Sequence, residues 1–137
     1  MKANAFLVVS LGCLMAAGAA AQNAGPKPYE NVKVIPKSTP RAETTELMKH
    51  FTRALGVRCS YCHVGEEGAP LSTYDFGSDA KKEKRTARYM LKMVHGINAR
   101  YFADEGTPSV TDMRRNEVTC YTCHRGSTEP LTDRPKD

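Results

Sequence analysis

The short motif "CSYCH" at residues 59–63 largely decides how this chain folds, because it returns as "CYTCH" at residues 120–124. Each motif, called a pentad below, holds two cysteines three positions apart, with a histidine directly after the second. Residues three and four apart lie on one face of a helical turn, so Cys59, Cys62 and His63 are expected to point to the same side. The second pentad repeats this pattern with Cys120, Cys123 and His124.

Four cysteines in two pairs allow several kinds of chemistry. They could form two disulfides in an exported chain, a redox-active dithiol, or part of a zinc site together with the histidines. None of these alternatives explains why a histidine follows the second cysteine both times. Covalent attachment of c-type haem does, because the cysteines bind the two vinyl groups and the histidine binds the iron. The pentads therefore predict two covalently bound c-type haems.

The beginning of the chain has the pattern of a secretory signal. Lys2 is followed by the uncharged run "AFLVVSLGCLMAAGAA", and the small residues up to Ala21 fit a signal-peptidase site before Gln22. Two alternatives are an uncleaved membrane anchor, for which the run is short, and a lipoprotein attached through Cys13. We expect residues 1–21 to be a signal peptide and the mature protein to be periplasmic or otherwise exported.

Composition limits the classes of function. The 137 residues carry a formal net charge of +5 at pH 7, and the charges are mixed, as in "DAKKEKRTAR" at 79–88. Such mixing favours a solvated helix face over a nucleic-acid-binding patch, and no aromatic residues are interleaved to stack on bases. With no Trp and 4 Phe, the chain has few large core residues. A domain this small is expected to need additional cross-links, for which the paired cysteines are the obvious candidates.

The segment before the first pentad predicts a helix with a haem ligand. In "TPRAETTELMKHFTRALG", Thr39 is a possible cap, Pro40 suits the first turn, and Gly56 can end the helix. The apolar residues at helical spacing are Leu47, Met48, Phe51, Ala54 and Leu55. Met48 lies in this stripe, eleven residues before Cys59, and is predicted to be the sixth ligand of the first haem. His50 is its rival but falls off the stripe.

The segment 78–102, "SDAKKEKRTARYMLKMVHGINARYF", predicts a second helix, capped by Ser78 or Asp79. One face carries Ala87, Met90, Leu91, Val94, Asn98 and Tyr101. Met90 on that face is the predicted sixth ligand of the second haem. Met93, His95 and Met113 remain alternatives, since thirty residues separate Met90 from Cys120; Met113 has polar neighbours in the sequence.

The order helix with Met, connection and pentad thus occurs twice. Both connections are rich in Gly, Pro, Ser, Thr or acidic residues and read as loops. We expect a signal peptide at 1–21, an extended N-terminal arm at 22–36, a di-haem domain at 37–127, and a mobile tail at 128–137.

The segments "ELMKHFTRALGVRCSYCH", "RTARYMLKMVHGIN" and "VTCYTCHRG" resemble the cytochrome subunit of photosynthetic reaction centres and the small exported c-type cytochromes related to it. In that family a helix with the axial Met, a turn and the pentad form one unit. The resemblance assigns Met48 to the haem at His63 and Met90 to the haem at His124. It implies a mostly helical fold, two haems related by an approximate two-fold axis, and electron transfer. The photosynthetic subunit has four such units, so this chain resembles half of it.

The leading functional hypothesis is an exported di-haem carrier that exchanges electrons with redox proteins by an outer-sphere mechanism. A di-haem peroxidase-like enzyme is the alternative from another class, and His50 and His95 are the only spare histidines for its acid–base chemistry. A second alternative is a subunit of a larger multihaem assembly, which could include a membrane-bound redox complex. No nucleic-acid partner is expected.

Overall fold

The computed structural model describes residues 31–103 and 106–133. In this part of the chain the α-helices are α1 (Arg41–Leu55), α2 (Cys59–Cys62), α3 (Lys82–Tyr101) and α4 (Cys120–His124), with 3-10 turns at Leu71–Thr73 and Met113–Arg115. The described residues form no β-strand, and their one isolated bridge pairs Val64 with Asp75. The expectation of a mostly helical fold is confirmed.

Helix α1 ends where the sequence indicates but begins differently. Gly56 follows it in the left-handed conformation, with φ of 66°, as expected for a C-terminal cap. At the other end Pro40 is the N-cap and no side chain caps the helix, so the prediction of Thr39 as the cap was wrong. The Thr44 hydroxyl instead donates to the carbonyl of Pro40. The buried face of α1 comprises Thr44, Leu47 and Ala54.

Helix α3 also lacks the cap predicted for it. Its N-cap is Lys81, without a side-chain hydrogen bond. The Ser78 hydroxyl accepts from the amide of Ala80, and Asp79 forms ion pairs with side chains of α3 rather than with the free amides at its start. The Asp79 carboxylate therefore pairs with Lys84 and Arg88 instead of capping the helix. The buried face of α3 comprises Leu91, Val94 and Asn98.

The core lies where α1 and α3 approach the second connection. Leu47, Leu91 and Met113 are its buried residues, and Val34, Ile35, Phe51 and Val110 pack against them. Each fully buried side chain of this size contributes roughly 1.5–3 kcal/mol by leaving water. The described end of the N-terminal arm is therefore part of the packing around the core.

The pentad helices are held by the long helices in a crossed manner. Helix α4 packs mainly against α1 and also contacts α3, and α2 packs against α3. The amide of Gly126 donates to the Ala54 carbonyl at 2.9 Å, and Lys81 donates to the carbonyl of Ser60. Each pentad is thus fixed partly by the long helix of the other half.

Several predicted features lie outside the described residues. These are the signal peptide at 1–21 with Cys13, the first part of the arm at 22–30, and the end of the tail at 134–137. Among the described residues, no helix combines the length and the apolar character needed to cross a membrane.

Candidate functional site

The first pentad forms a single helical turn. The amide of His63 donates to the carbonyl of Cys59 at 2.9 Å, which closes the turn across the whole pentad. Both cysteines are partly buried and free of disulfide bonds. The local geometry therefore agrees with the helical turn expected from the spacing of Cys59, Cys62 and His63.

A mostly apolar cleft of about 140 Å³ lies beside this turn. Met48 from α1 and His63 both line it, together with Cys62. Its other walls come from α3 and from the described end of the arm, and include Ala87, Leu91, Val32, Val34 and Ile35. The structure thus brings Met48 and His63 to one cleft, which we name the first cleft.

The environment of His63 keeps its imidazole neutral. Burial, followed by the positive charges of Lys84, Arg88 and Lys81, lowers the pKa of His63 to about 4. Its Nδ1 is buried and has no hydrogen-bond partner among the described residues, and the Phe76 ring lies edge-on with its centroid 4.9 Å away. A neutral imidazole has the lone pair that metal ligation requires.

The second pentad is more firmly fixed. Thr119 and Thr122 form a capping box at the start of α4, in which each side chain accepts from the backbone of the other residue. The Nδ1 atom of His124 lies 2.9 Å from the carbonyl oxygen of Ser127. As a donor in this bond, Nδ1 leaves Nε2 with its lone pair, an arrangement typical of histidines that bind metals.

A second cleft, of about 190 Å³, lies beside α4. Met90, Cys120 and His124 line it, and Met90 is 37% exposed. Three residues belong to both clefts, namely Phe51, Cys62 and Ala87. The two clefts are therefore adjacent and share one wall.

The alternative haem ligands considered in the sequence lie outside both clefts. Met113 is 6% exposed and packs in the core with Leu47 and Leu91, although its neighbours in the sequence are polar. Met93 is 49% exposed on α3. Neither Met93 nor Met113 lines either cleft, and the same is true of His50 and His95.

Two of the four pentad thiols, Cys62 and Cys120, differ from those of a redox dithiol. All four are free, and burial raises the pKa of both Cys62 and Cys120. Reactive dithiols have lowered pKa values instead. Within residues 31–103 and 106–133, no three His, Cys, Asp or Glu side chains come together as a metal-binding group.

The sequence did not predict the cationic cluster that lies beside the first cleft. Asp79 forms ion pairs with Lys33, Lys84 and Arg88. The side chains of Lys84 and Arg88 are only 11% and 17% exposed, so the interpretation of 79–88 as a fully solvated face was wrong for these two. The sequence spacing could have indicated their burial, because positions 84 and 88 lie on the same face of a helix as positions 87 and 91.

These features fit a covalently attached haem in each cleft. Each cleft joins at least one free thiol of a pentad, an imidazole and a methionine within largely apolar walls. Thioether linkage needs free cysteines, and a haem iron accepts imidazole nitrogen and thioether sulfur as axial ligands. The helical fold and the doubled pentad are those of a c-type cytochrome.

Comparison with known proteins places the chain more narrowly. Residues 15–133 match the family described as the photosynthetic reaction centre cytochrome C subunit. The chain therefore belongs to the photosynthetic reaction centre cytochrome c subunit family, and the resemblance noted in the sequence is confirmed. Membership of a cytochrome c family implies covalently bound c-type haem and a role in electron transfer.

Three relatives are informative. The photosynthetic reaction center cytochrome c subunit of Rubrivivax gelatinosus is 32% identical over 125 residues, covering 77% of this chain and 31% of that protein. The corresponding subunit of Thermochromatium tepidum is 33% identical over 116 residues, with 81% and 24% covered. Cytochrome c-554 of Chloroflexus aurantiacus is 30% identical over 101 residues, with 74% and 21% covered. The chain thus spans about a fifth to a third of these relatives, and no solved structure matches it.

Proposed function

We propose that the chain is an exported di-haem c-type cytochrome that passes single electrons between redox proteins by outer-sphere exchange. The observation that carries this proposal is the pairing within two adjacent clefts. Met48 shares the first with His63, and Met90 shares the second with His124. The same pairings follow from the helix-face argument and from the family resemblance.

The ligand set combines this pairing with the pentad cysteines, of which Cys62 and Cys120 line the clefts. The first haem would be attached through Cys59 and Cys62, and His63 and Met48 would hold its iron. The second would be attached through Cys120 and Cys123, and His124 and Met90 would hold its iron. The Ser127 carbonyl fixes the orientation of the His124 ring and increases its basicity as a ligand.

The bound haem supplies an iron that changes between the ferrous and ferric states. His63 and Met48, and likewise His124 and Met90, would hold such an iron from the chain, and thioether sulfur would favour its ferrous state. Phe51 and Ala87 supply apolar surface to the wall that the two clefts share. The protein's part is thus ligation, burial and orientation, and no proton or substrate bond need change.

The packing supports an approximate two-fold relation between the halves. Helix α1 carries Met48 and packs on the second pentad helix, whereas α3 carries Met90 and packs on the first. These two contacts correspond to each other when the halves are exchanged, whereas the additional contact of α3 with α4 has no such counterpart. Because the clefts share Phe51, Cys62 and Ala87, two haems bound there would be neighbours, as rapid internal electron transfer requires.

The enzyme alternative receives less support. A peroxidase needs an open iron and distal acid–base groups, whereas His50 and His95 line neither cleft. The partners are therefore proposed to be redox proteins. The relatives' names also make a membrane-bound redox complex a candidate, with this chain as a subunit of a larger assembly.

Intact mass and spectroscopy of the purified protein test this proposal. We expect the mass of the mature chain plus two haems, no extraction of haem by acidified acetone, and spectra of six-coordinate low-spin iron. The reduced protein should not bind carbon monoxide and should show negligible peroxide turnover. The mass of the bare chain, or of the chain plus zinc, would overturn the proposal.

Export is tested separately. We propose cleavage after Ala21, so N-terminal sequencing should give Gln22 as the first residue and the protein should be recovered from the periplasm. A retained Met1 would indicate an anchored form, and a lipid-modified Cys13 would indicate a lipoprotein.

A further inference from the structure

The two clefts differ strongly in charge. The first is lined by Lys33, Lys84 and Arg88. The charged residues of the second are Lys82 and Glu83, whose charges cancel. This difference bears on the proposed function, on which the inference below rests, because the same His/Met ligation is proposed for both haems.

The cations of the first cleft are held in place. Arg88 lies 2.8 Å from Oδ1 of Asp79 and also donates to the carbonyl of Asn31 at 2.8 Å. Lys84 donates to the carbonyls of Phe76, Gly77 and Ser78 at 2.7–3.0 Å. These bonds prevent both side chains from turning away into solvent.

The cluster carries excess positive charge. Lys33, Lys84 and Arg88 share the single carboxylate of Asp79, at distances of 3.0, 3.4 and 2.8 Å respectively. Asp75 is a further carboxylate that acts on Lys84, so the three cations still outnumber the nearby carboxylates and the first cleft keeps a net positive charge. The two propionates that each haem brings do not remove the difference between the clefts, since both sites gain the same charge.

We propose that Lys84 and Arg88 raise the reduction potential of the first haem above that of the second. Positive charge near an iron favours its ferrous state, because the ferric state carries one more positive charge. With haem bound at both clefts, the electron would move from the second haem, whose iron would be oxidised from ferrous to ferric, to the first, whose iron would be reduced from ferric to ferrous. External one-electron carriers would reduce the second haem and oxidise the first.

The expected size of the effect is about tenfold in the reduction equilibrium per charge. This follows for a unit charge on the order of 10 Å from an iron at an effective dielectric constant of about 20. Tenfold corresponds to about 59 mV for a one-electron couple. The negative charge of Asp79 offsets part of this effect. The combined effect of Lys33, Lys84 and Arg88 on the reduction potential is therefore smaller than the sum of three separate cations.

A redox titration of the intact two-haem protein tests the order of the potentials. Replacing a thioether by an imidazole ligand lowers the potential of that haem. Met48→His should therefore lower the higher of the two potentials, and Met90→His should lower the other. If Met48→His lowers the lower one, the inference is overturned, while the mass test of the proposed function still stands.

Charge variants test the residues themselves. Arg88→Gln and Lys84→Gln should each lower the potential of the first haem by roughly 59 mV, or tenfold, and change the second less. Arg88→Lys should restore most of the loss. Asp79→Asn should shift the same potential upward, a reversal that a general loosening of the site would not produce.

The matched control is Lys92→Gln, which removes a charge from an exposed position of α3 that lines neither cleft. It should leave both potentials nearly unchanged. Equal downward shifts for Asp79→Asn and Arg88→Gln would overturn the inference in favour of a structural effect, as would an unchanged potential in Arg88→Gln.

Discussion

The amide of Gly126 donates a hydrogen bond to the carbonyl of Ala54 at 2.9 Å, which joins the end of helix α1 to the end of the second pentad. The approach is so close that a Cβ atom on Gly56 would lie 2.2 Å from the carbonyl oxygen of Gly126. Backbone atoms cannot move aside as the end of a side chain can. The first helix and the second pentad are therefore in contact through a position that only glycine fits.

We accordingly expect Gly56→Ala to destabilise the protein. The φ of +66° costs a non-glycine residue about 1–2 kcal/mol, and the clash with Gly126 adds to this. Gly68→Ala is the control, because Gly68 has φ of +85° but no atom within 4 Å of the added Cβ. Urea unfolding should show a clearly larger loss for Gly56→Ala; equal losses would mean that the contact is unimportant.

The Asn98 side chain makes a second set of hydrogen bonds, which link α3 to the segment before the second pentad. Its amide donates to the carbonyls of Val94 and Val118 at 2.9 and 2.7 Å, and its oxygen accepts from the amide of Val118 at 3.0 Å. Asn98 is 1% exposed, so water cannot easily replace these bonds. The side chain thus holds the segment that leads into Cys120 against α3.

Asn98→Ala should lower the free energy of unfolding by about 2–3 kcal/mol, the cost of leaving buried polar groups unpaired. The disturbance should reach the spectrum of the haem proposed at Cys120 and Cys123 before that of the haem proposed at the first pentad. Met93→Ala, at an exposed position of the same helix, should cost less than about 0.5 kcal/mol. A loss in Asn98→Ala as small as that would show that Val118 finds other partners.

The sequence alone predicted the parts of this protein that depend on local spacing. The helical face that carries Leu47 and Met48, the end of α1 at Gly56 and the turn of the first pentad all follow from residues a few positions apart. The family could also be recognised, because its motifs are short and contiguous. These features need no knowledge of what packs against them.

Features that depend on distant partners could not be predicted. Asp79 looked like a helix cap, yet Lys33, 46 positions away, and Arg88 turn it into the centre of an ion cluster. Met113 has polar neighbours in sequence but packs on Leu47 and Leu91. The sequence pattern shows which face of a helix is apolar, but it does not show which loop will cover that face.

The Asp79 cluster also predicts how stability changes with pH. Hydrogen bonding from Asn31 and Lys33, with the nearby Arg88, holds the pKa of Asp79 well below its usual range. A lowered pKa in the folded state means that the carboxylate stabilises the protein above its unfolded pKa of about 3.9. This contribution is lost as the pH falls below that value toward the lowered pKa of the folded state.

The free energies of unfolding of the native chain and Asp79→Asn should therefore differ by a constant amount above about pH 5, and the difference should shrink at lower pH. Denaturant unfolding between pH 2 and 7 measures this. Asp112→Asn is a useful comparison, since the pKa of Asp112 is also lowered, mainly by its hydrogen bond with the exposed Arg114. A difference for Asp79→Asn that does not vary with pH would show that its charge is not what stabilises the fold.

Replacing the two methionines proposed as haem ligands gives the most direct test of the clefts. Met48→Ala should open the first iron, so that the reduced protein binds carbon monoxide at one of two haems. Met90→Ala should do the same at the second, because a haem iron without its sixth ligand accepts small molecules. Flash photolysis with a count of bound carbon monoxide per chain measures both.

The exposed position of Met90 makes its control important. Met93 lies on the same helix, is similarly exposed at 49% against 37%, and lines neither cleft. Met93→Ala should bind no carbon monoxide and should leave both potentials in place, as should His95→Ala. If Met90→Ala also stays closed while His95→Ala opens, the second haem has two histidine ligands, and its potential should then be lower than Met/His ligation allows.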